Sequence, residues 1–371
     1  MKIYPSSIFL ISALFHFSIS QSLPSSSSST SSSSSFISSS ISSPNPPIGL
    51  PTDWLEAYLH ADLLFSENDS LVNPSQLPEI GNGFLATQIM TDSIWVSGLF
   101  NGYLTETPSH RARIPATNAI SAPGIIFASG LDIRNATYYR RSFIDPSNGT
   151  CSTSSTESCS NSATRIIIEQ RWYAHRAFPS VLVMEVQIIS GSSVTNPTDA
   201  SLFAMLKLTN HPGEVSGDIN FTSISTPLNS PYSILNGTTL ISETNTSSLQ
   251  AVSVITTNLP ISGLLQVNVS SPFSTYFFLT IIRTSIETSF ENLIEACVID
   301  YEAANGLALS GILHSTHISE WENTIWTVGY STDRFDVAQA VNSSIYAILS
   351  SIRNDRPFGI SPGGLTEGKF F

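Results

Sequence analysis

The chain has 371 residues, only 12% of them charged, and a formal net charge of −13 at neutral pH. Nucleic acids and other polyanions are bound by clusters of lysine and arginine. This sequence has three lysines, and its densest basic stretch is Arg140-Arg141. The composition therefore excludes nucleic acid as a predicted partner.

The first twenty residues have the pattern of a secretory signal peptide. Lys2 precedes an apolar run from Ile8 to Phe17, and the small residues Ser18 and Ser20 precede Gln21. The run is about half as long as a membrane-spanning helix requires. We therefore predict a signal peptide over residues 1–20, no membrane anchor, and a protein that is secreted or resides in the lumen of the secretory pathway.

Residues 21–47 are dominated by serine and end in a proline-rich stretch. Such a composition cannot bury enough apolar surface to offset the entropy of ordering the chain. This segment is predicted to be a disordered linker, so that the folded part begins near residue 48.

In a secreted protein, N-x-S/T sequences are acceptor sites for N-linked glycans, so they predict glycosylation. Each predicted site should lie on the solvent side of the protein or in a loop. The predicted N-glycosylation sites are Asn68, Asn135, Asn148, Asn220, Asn236, Asn245, Asn268 and Asn342.

The chain contains three cysteines. Cys151 and Cys159 flank a polar stretch, and in an oxidising compartment this spacing predicts a local disulfide rather than a metal or redox site. Cys297 falls in an apolar helical pattern. It is predicted to be a buried thiol, with a disulfide to a cysteine outside the given sequence as the alternative.

Residues 48–287 predict a large antiparallel two-sheet β-sandwich. Runs of β-branched and aromatic residues alternate with clusters of Pro, Gly, Asn and Ser, as in all-β sandwiches. The clearest runs are FLATQIM, SIWVSGLF, TRIIIEQRWYAHR, SVLVMEVQIIS, SLFAMLKLTN, LQAVSVITTNL, GLLQVNVSS and STYFFLTIIRTS. Within GLLQVNVSS, the alternation of side chains predicts that Leu265, Val267 and Val269 face the core.

The pattern becomes helical over residues 288–357. Thr288 and Glu291 match a capping box at the start of one helix, and Gly306 is a candidate for its end. A second helical stretch follows over residues 309–326. A third has apolar residues at helical spacing, namely Val337, Val341, Ile345, Leu349 and Ile352. Residues 358–371 then read as a glycine-rich turn.

The histidines do not predict a metal site. His314, His317 and Glu320 are spaced i, i+3 and i+6, whereas a helical zinc site favours histidines at i and i+4. We interpret them as polar residues on a helix surface. His175-Arg176 could supply a base and its electrostatic partner, but a polar pair that closes a strand is the favoured interpretation.

No active site is predicted from the residues themselves. Gly81-Asn82-Gly83 lacks the pattern of a phosphate-binding loop and instead indicates a turn that needs a positive φ. Glycosidases require two carboxylates that flank one bond. The acidic residues considered, Asp53, Glu56, Glu79, Asp92, Glu106, Glu169 and Glu185, show no pairing along the sequence. We predict no catalytic, cofactor-binding or metal-binding residue and no cofactor.

Several motifs in order are nevertheless similar to one known family. LPEIGNGFLATQIMTDSIWVSGLFNG (77–102), followed by HRARIP (110–115), resembles the opening of glycoside hydrolase family 65, in its acid-trehalase-like branch. The similarity continues through YAHRAFPSVLVMEVQI, HISEW, SIYAILSSI and GISPGGL, so that it spans residues 77–365. Each motif is weak alone, and their common order makes the resemblance specific.

The resemblance implies an architecture of an N-terminal β-sandwich, helical linker, (α/α)6 barrel and small C-terminal β-domain, with the catalytic residues in the barrel. Residues 358–371 then correspond to a truncated entry to that barrel. The chain is expected to be the front part of a secreted hydrolase of glucosyl-galactosyl or trehalose-like disaccharides, from an incomplete gene model or a truncated product, and inactive alone. Its carbohydrate substrate would bind in the missing barrel.

Other interpretations stay open at this point. Phosphorolysis is the second chemistry of the resembled family. The chain could also be a non-catalytic sandwich that binds carbohydrate or protein, or an inactive fragment. For a truncated chain we expect an exposed apolar patch around Trp321, Trp326 and the last helix, because the barrel would otherwise cover it.

Overall fold

The computed structural model describes residues 45–66, 78–91, 93–103, 108–115, 120–144, 166–190, 203–210, 214–227, 229–260, 262–268, 274–325 and 334–355. Within these ranges it contains nineteen β-strands and four α-helices. The strands are β1 (Leu63–Ser66), β2 (Glu79–Gly81), β3 (Leu85–Gln88), β4 (Ser93–Val96), β5 (Phe100–Asn101), β6 (His110–Arg111), β7 (Ile114–Pro115), β8 (Ile120–Ser121), β9 (Ile125–Asp132), β10 (Thr137–Ile144), β11 (Ile166–Ala174), β12 (Val181–Ser190), β13 (Phe203–Lys207), β14 (Thr209–Asn210), β15 (Ile219–Ile224), β16 (Tyr232–Thr239), β17 (Ala251–Thr257), β18 (Leu264–Asn268) and β19 (Thr275–Thr284). The helices are α1 (Leu55–Leu59), α2 (Leu293–Leu309), α3 (Leu313–Glu322) and α4 (Phe335–Ser351).

One large antiparallel sheet organises the described residues. Its nine strands follow the order β1-β9-β10-β11-β12-β19-β17-β16-β15. The long apolar runs predicted as strands form β11, β12, β17 and β19 at its centre, where both faces are covered. These strand predictions are confirmed.

A second layer of small sheets covers one face of the large sheet. It contains the four-stranded sheet β2-β3-β4-β7 and the pair β13-β18. On β12, Leu182, Met184, Val186 and Ile188 point into the core between the layers, because side chains alternate along a strand. The predicted sandwich class is thereby confirmed. On β18, Val267 is buried and Leu265 partly buried, as the alternation predicts.

Helix α2 packs on the opposite face of the large sheet. Cys297 and Tyr301 join a cluster with Val181 and Ile255 of the sheet. The predicted helix is therefore confirmed, and Cys297 is buried as predicted.

The predicted ends of α2 were wrong. A short 3-10 turn, Phe290–Asn292, precedes the helix, and no side chain caps it at Asn292. The helix also continues through Gly306 as far as Leu309. Gly311, just after the helix, has a positive φ of 73°, so the chain reverses there instead.

Helix α4 exists as predicted, and Ile345 of its apolar stripe is buried, but polar side chains form part of the buried face. Val337 and Val341 are exposed, whereas Asn342 and Tyr346 are buried. The side-chain amide of Asn342 donates to Asp62 Oδ1 (2.9 Å), and the Tyr346 hydroxyl donates to the Glu79 carbonyl oxygen (2.9 Å). Polar contacts with the start of the fold therefore select the buried face of α4.

Trp321 does not belong to an exposed patch, contrary to expectation. It is fully buried, and its indole N–H donates to the carbonyl oxygen of Ile133 (3.1 Å). Among the exposed apolar side chains of the described residues, Val337, Val341 and Ile348 lie on α4. Trp326 lies outside the described residues.

Several predictions fall outside the described residues. These are the signal peptide, most of the serine-rich linker, the Cys151–Cys159 disulfide, the sites Asn68 and Asn148, the residue Val269, the Asn268 side chain and the predicted barrel entry at residues 358–371. No helix in the described ranges combines the length and the apolar character needed to cross a membrane.

Candidate functional site

A network of charged side chains lies on the face of the large sheet that points away from the sandwich core. Arg141 on β10 stands opposite Glu169 on β11, and Arg171 on β11 stands opposite Glu185 on β12. The alternation of side chains places all four on one face. The sheet register therefore brings together charges that are distant in the sequence.

The arginines connect these carboxylates in a chain. Arg141 Nε donates to Glu169 Oε2 and its Nη1 donates to Asp53 Oδ1, each at 2.7 Å. Arg171 Nε donates to the other Glu169 oxygen (2.7 Å), and its Nη2 donates to Gln187 Oε1 (2.6 Å). Charge-assisted bonds of this kind are short and directional, so the network is held in one arrangement.

This network forms the floor of a cavity of about 330 Å³. Helix α1, strand β1 and the turn between β9 and β10 supply its walls. The cavity is lined by Asp53, Trp54, Ala57, Leu63, Asp132, Asn135, Tyr139, Arg141, Glu169, Arg171, Gln187 and Ile189. Its lining thus combines carboxylates, guanidinium groups and amides with a few apolar side chains.

The carboxylates around the cavity have different proton affinities. The hydrogen bond from Arg141 lowers the pKa of Asp53. Burial raises the pKa of Asp132 to about 6, although Asn135 donates to it from both its backbone and its side chain. Burial also raises the pKa of Glu185, which accepts a hydrogen bond from the Tyr173 hydroxyl.

This arrangement is suited to binding rather than to glycosidic cleavage. Cleavage needs one carboxyl as acid and another as base or nucleophile, both directed at the same bond. Here both oxygens of Glu169 accept hydrogen bonds from arginines, and both oxygens of Asp132 accept them from Asn135. Among the described residues, no three His, Cys, Asp or Glu side chains are arranged to hold a metal ion.

Of the three residues predicted on a helix surface, His317 is buried and His314 is partly buried, whereas Glu320 is exposed as predicted. His317 is inaccessible to solvent; its Nδ1 accepts from the Arg176 backbone N–H (3.1 Å) and its Nε2 donates to the Asn135 carbonyl oxygen (2.9 Å). His314 Nε2 lies 3.1 Å from Thr137 Oγ1. The surface interpretation was wrong for the two histidines, because Asn135 and Thr137, at the β9–β10 turn and 182 and 177 residues away, lie beside their rings.

His175 and Arg176 form the predicted structural pair at the end of β11. His175 Nδ1 accepts from the Phe178 backbone N–H (3.2 Å), and its Nε2 donates to the Leu313 carbonyl oxygen (3.1 Å). Arg176 Nη1 donates to the Asn82 carbonyl oxygen (2.8 Å), and its guanidinium lies 5.1 Å from the Trp321 ring. Through these contacts both side chains stabilise the fold.

The predicted glycan acceptors differ in accessibility. Asn220 and Asn245 are exposed, and Asn236 is partly buried. Asn135 is half-buried, and its amide donates to Asp132 Oδ2 (2.7 Å). Asn342 is fully buried and its side-chain amide donates to Asp62, so a glycan on its nitrogen does not fit this fold.

The sequence contained a partial signal for the cavity. In Glu169-Gln170-Arg171, the two charged residues are two apart in a predicted strand, so they share a face. The partners of this pair could not be inferred, because they depend on which strands become neighbours. Asp53 in particular comes from the short 3-10 turn Thr52–Trp54, which precedes α1 and lies outside the sheet.

Comparisons with known proteins identify relatives over most of the chain. No protein-family model matches. The chain is 30% identical over 329 residues to the protein-glucosylgalactosylhydroxylysine glucosidase of Dictyostelium discoideum, in a match that covers 85% of this chain and 42% of that protein. It is 24% identical over 315 residues to the Mus musculus protein of the same name, covering 82% and 40% respectively.

A solved structure supports the fold. A putative kojibiose phosphorylase from the human microbiome superposes with a TM-score of 0.50 at 11% sequence identity, covering 77% of this chain and 42% of that chain. These findings confirm the resemblance to glycoside hydrolase family 65: over its matched part, the chain is related to this family of carbohydrate-active enzymes. Its curated relatives there are the protein-glucosylgalactosylhydroxylysine glucosidases, and the chain spans about two fifths of their length.

Proposed function

We propose that this chain forms the non-catalytic sandwich part of a secreted glycoside hydrolase that releases glucose from glucosyl-galactosyl-hydroxylysine or a similar glucosyl-disaccharide. The observation that carries the proposal is the 30% identity over 85% of the chain to a protein with that named activity. Hydrolysis is preferred to phosphorolysis because the curated sequence relatives are named glucosidases, whereas the phosphorylase shares only the fold.

The assignment of a supporting role rests on the chemistry of the described residues. The three carboxylates that line the cavity, Asp53, Asp132 and Glu169, are all bound to arginines or to Asn135. The relatives are more than twice as long as the matched region. In this proposal their catalytic carboxylates lie in the part that has no counterpart in this chain.

Secretion is part of the same proposal. It is supported by the signal-like sequence of residues 1–20 and by the exposed sequons at Asn220 and Asn245. The substrate proposed here is attached to hydroxylysine, and a protein-bound disaccharide of that kind is consistent with a location in the secretory pathway.

The test uses two proteins assayed for glucose release from glucosyl-galactosyl-hydroxylysine. One is residues 21–371 of this chain. The other is the Dictyostelium discoideum relative in which the matched 329 residues are replaced by the corresponding part of this chain. The chain alone should release no glucose, and the chimera should retain measurable hydrolysis.

Two outcomes would count against the proposal. The first is turnover by residues 21–371 that is abolished when Glu169 or Asp132 is changed to the amide, since the cavity would then be catalytic. The second is a chimera that folds cooperatively yet has no activity, although the unmodified relative is active in parallel. A phosphate requirement for glucose release would show phosphorolysis instead.

A further inference from the structure

We propose that the cavity on the outer face of the large sheet is a non-catalytic binding site for one hexose unit of an uncharged carbohydrate. The cavity is defined by α1, β1, the β9–β10 turn and the central strands β10, β11 and β12. Its volume of about 330 Å³ is at the lower end of the range for small-molecule sites, roughly 300–1,000 Å³. That size fits a single sugar ring with a few waters better than an extended chain.

Hydroxyl groups match the hydrogen-bonding capacity that the cavity offers. A guanidinium has five N–H groups, and Arg171 directs three of them to Glu169, Glu185 and Gln187. Two N–H groups therefore have no acceptor among the described residues. Each carboxylate oxygen also has more than one lone pair, so Asp53 and Asp132 can accept further bonds. A sugar hydroxyl both donates and accepts, and adjacent hydroxyls can satisfy both kinds of group.

The charge balance argues against an anionic ligand. Three carboxylates, Asp53, Asp132 and Glu169, line the cavity, against the two guanidinium groups of Arg141 and Arg171. With every group ionised the lining carries a net charge of about −1, which disfavours phosphate, sulfate or a sugar acid. An uncharged polyol incurs no such repulsion.

The site is also preorganised, which reduces the entropy cost of binding. Glu169 is buried and held by two arginines, and Arg141 lies over the Trp54 ring at 4.8 Å. These contacts fix the floor before a ligand arrives. Asp53, which accepts hydrogen bonds from Arg141, lies at the rim, where 61% of its side chain is exposed.

Hexose binding in this cavity is independent of whether the chain is part of a glycosidase. The proposed function only selects the first probes, which are D-glucose, D-galactose and their glucosyl-galactose disaccharide. Gluconate serves as the anionic probe of similar size. Binding is measured on unglycosylated residues 21–371 by isothermal titration calorimetry and saturation-transfer NMR, since Asn135 lines the cavity and a glycan on it would compete with the probe.

Three variants localise the binding. Ala57→Leu adds volume to the cavity wall without removing a polar group, and Asp53→Asn removes one charge at the exposed rim. Glu56→Gln is the matched control, because Glu56 is exposed on the same helix and does not line the cavity. Thermal unfolding of each variant establishes that the fold is intact.

The expected result is millimolar binding of at least one hexose, weakened about tenfold or more by Ala57→Leu and Asp53→Asn and unchanged by Glu56→Gln. No hexose binding at 50 mM, at about ten times the expected Kd, would overturn the proposal. Equal binding by the wild type and Ala57→Leu would also overturn it, as would tighter binding of gluconate than of glucose. Sugar binding without glucosidase activity in the chimera would leave this site standing while the proposed function fails.

Discussion

The backbone N–H of Gly83 donates a hydrogen bond to the carbonyl oxygen of Ser350, 2.6 Å away, and so joins the turn after β2 to the last turn of α4. Arg176 Nη1 binds the same region through the carbonyl oxygens of Asn82 (2.8 Å) and Leu349 (3.1 Å). Arg353 Nη1 in turn donates to the Arg176 carbonyl oxygen (2.8 Å). The end of α4, whose carbonyls lack helical partners, is thus held by the Gly81-Asn82-Gly83 turn.

The first prediction is that Gly83→Ala destabilises the protein and loosens the end of α4. Gly83 has a φ of 84°, which disfavours an L side chain, and a Cβ there would overlap the Ile352 carbonyl group. We expect a loss of about 1–3 kcal/mol in the free energy of unfolding, measured with urea. Amide hydrogen exchange should increase over residues 345–352.

Gly306→Ala is the matched control for that variant. Gly306 lies inside α2, and a Cβ there would meet nothing within 4 Å. Alanine favours a helix interior over glycine by about 1 kcal/mol, so this variant should be neutral or stabilising. Similar losses in both variants would contradict the structural role assigned to Gly83.

The second prediction concerns the thiols. Cys297 is buried, its S–H donates to the Ser253 carbonyl oxygen (3.4 Å), and burial raises its pKa to about 12. It should react very slowly with a thiol reagent in the folded protein, because the thiolate is the reactive form. Cys151 and Cys159 should be unreactive because they are predicted to be bonded to each other.

Counting thiols under three conditions tests both statements. Native protein should show almost no fast-reacting thiol, unreduced denatured protein should show one, and reduced denatured protein should show all three. By closing this short loop, the Cys151–Cys159 disulfide would add roughly 2–3 kcal/mol to the free energy of unfolding. Three thiols in unreduced denatured protein would rule out the Cys151–Cys159 disulfide.

A third prediction separates the glycan acceptors by burial. Protein secreted from a glycosylating host should carry glycans at Asn220 and Asn245, which are exposed. Asn342 should be unmodified, because its amide donates to Asp62 in a fully buried position. Enzymatic deglycosylation in ¹⁸O-water with peptide mapping reports each site. A glycan found on Asn342 in folded protein would mean that α4 packs differently.

The sequence predicted the strands and helices of this fold better than it predicted which residues pack against them. The runs that became β11, β12 and β19 were recognisable because central strands are covered on both faces and therefore read as continuous apolar segments. In α4 the period was recognisable, but the buried face was not. Asn342 is buried because Asp62 accepts its hydrogen bond, and nothing in the local pattern of the helix indicates a partner 280 residues away.

The cavity shows the same limit. Its polar floor depends on the pairing of Arg141 with Glu169 and of Arg171 with Glu185, which is set by the order of strands in the sheet. A sequence predicts which side chains share a face of one strand, but it does not fix which strand lies beside it. The family resemblance agreed with the fold class that the strand runs predicted, and it indicated no residue of this cavity.

The last prediction concerns the pH dependence of stability. Both ring nitrogens of His317 are occupied, Nδ1 as an acceptor and Nε2 as a donor, so the folded state holds a neutral imidazole. Burial, followed by the neighbouring His175 and His314, lowers the His317 pKa well below 6.5. Burial likewise lowers the pKa of His175 to about 4 and that of His314 to about 3, with the charge of Arg171 adding to the latter.

A histidine with a lowered pKa stabilises the fold above its unfolded pKa of about 6.5, and this contribution is lost as the pH falls towards the folded value. For His175 the loss between pH 6.5 and 4 amounts to about 3 kcal/mol at most. Asp132 and Glu185 have the opposite effect on stability. Burial raises their pKa values, so their ionised forms destabilise the fold and their protonation in acid removes this destabilisation. A comparison of variants isolates the histidine contribution from these carboxylates.

His317→Gln should be less stable than the wild type at pH 7.5 by about 1–3 kcal/mol, because it loses buried hydrogen bonds. This difference should shrink between pH 6.5 and 5, since only the wild type retains the buried imidazole that resists protonation.

His110→Gln is the control of opposite sign. Burial opposes protonation of His110, but its hydrogen bond to Asp218 (2.8 Å) raises the pKa overall. Its contribution is therefore fully present below pH 6.5 and lost as the pH rises above that value. Urea unfolding of the three proteins from pH 5 to 8 distinguishes the two cases. A His317→Gln difference that widens on acidification would show that His317 is protonated in the folded protein.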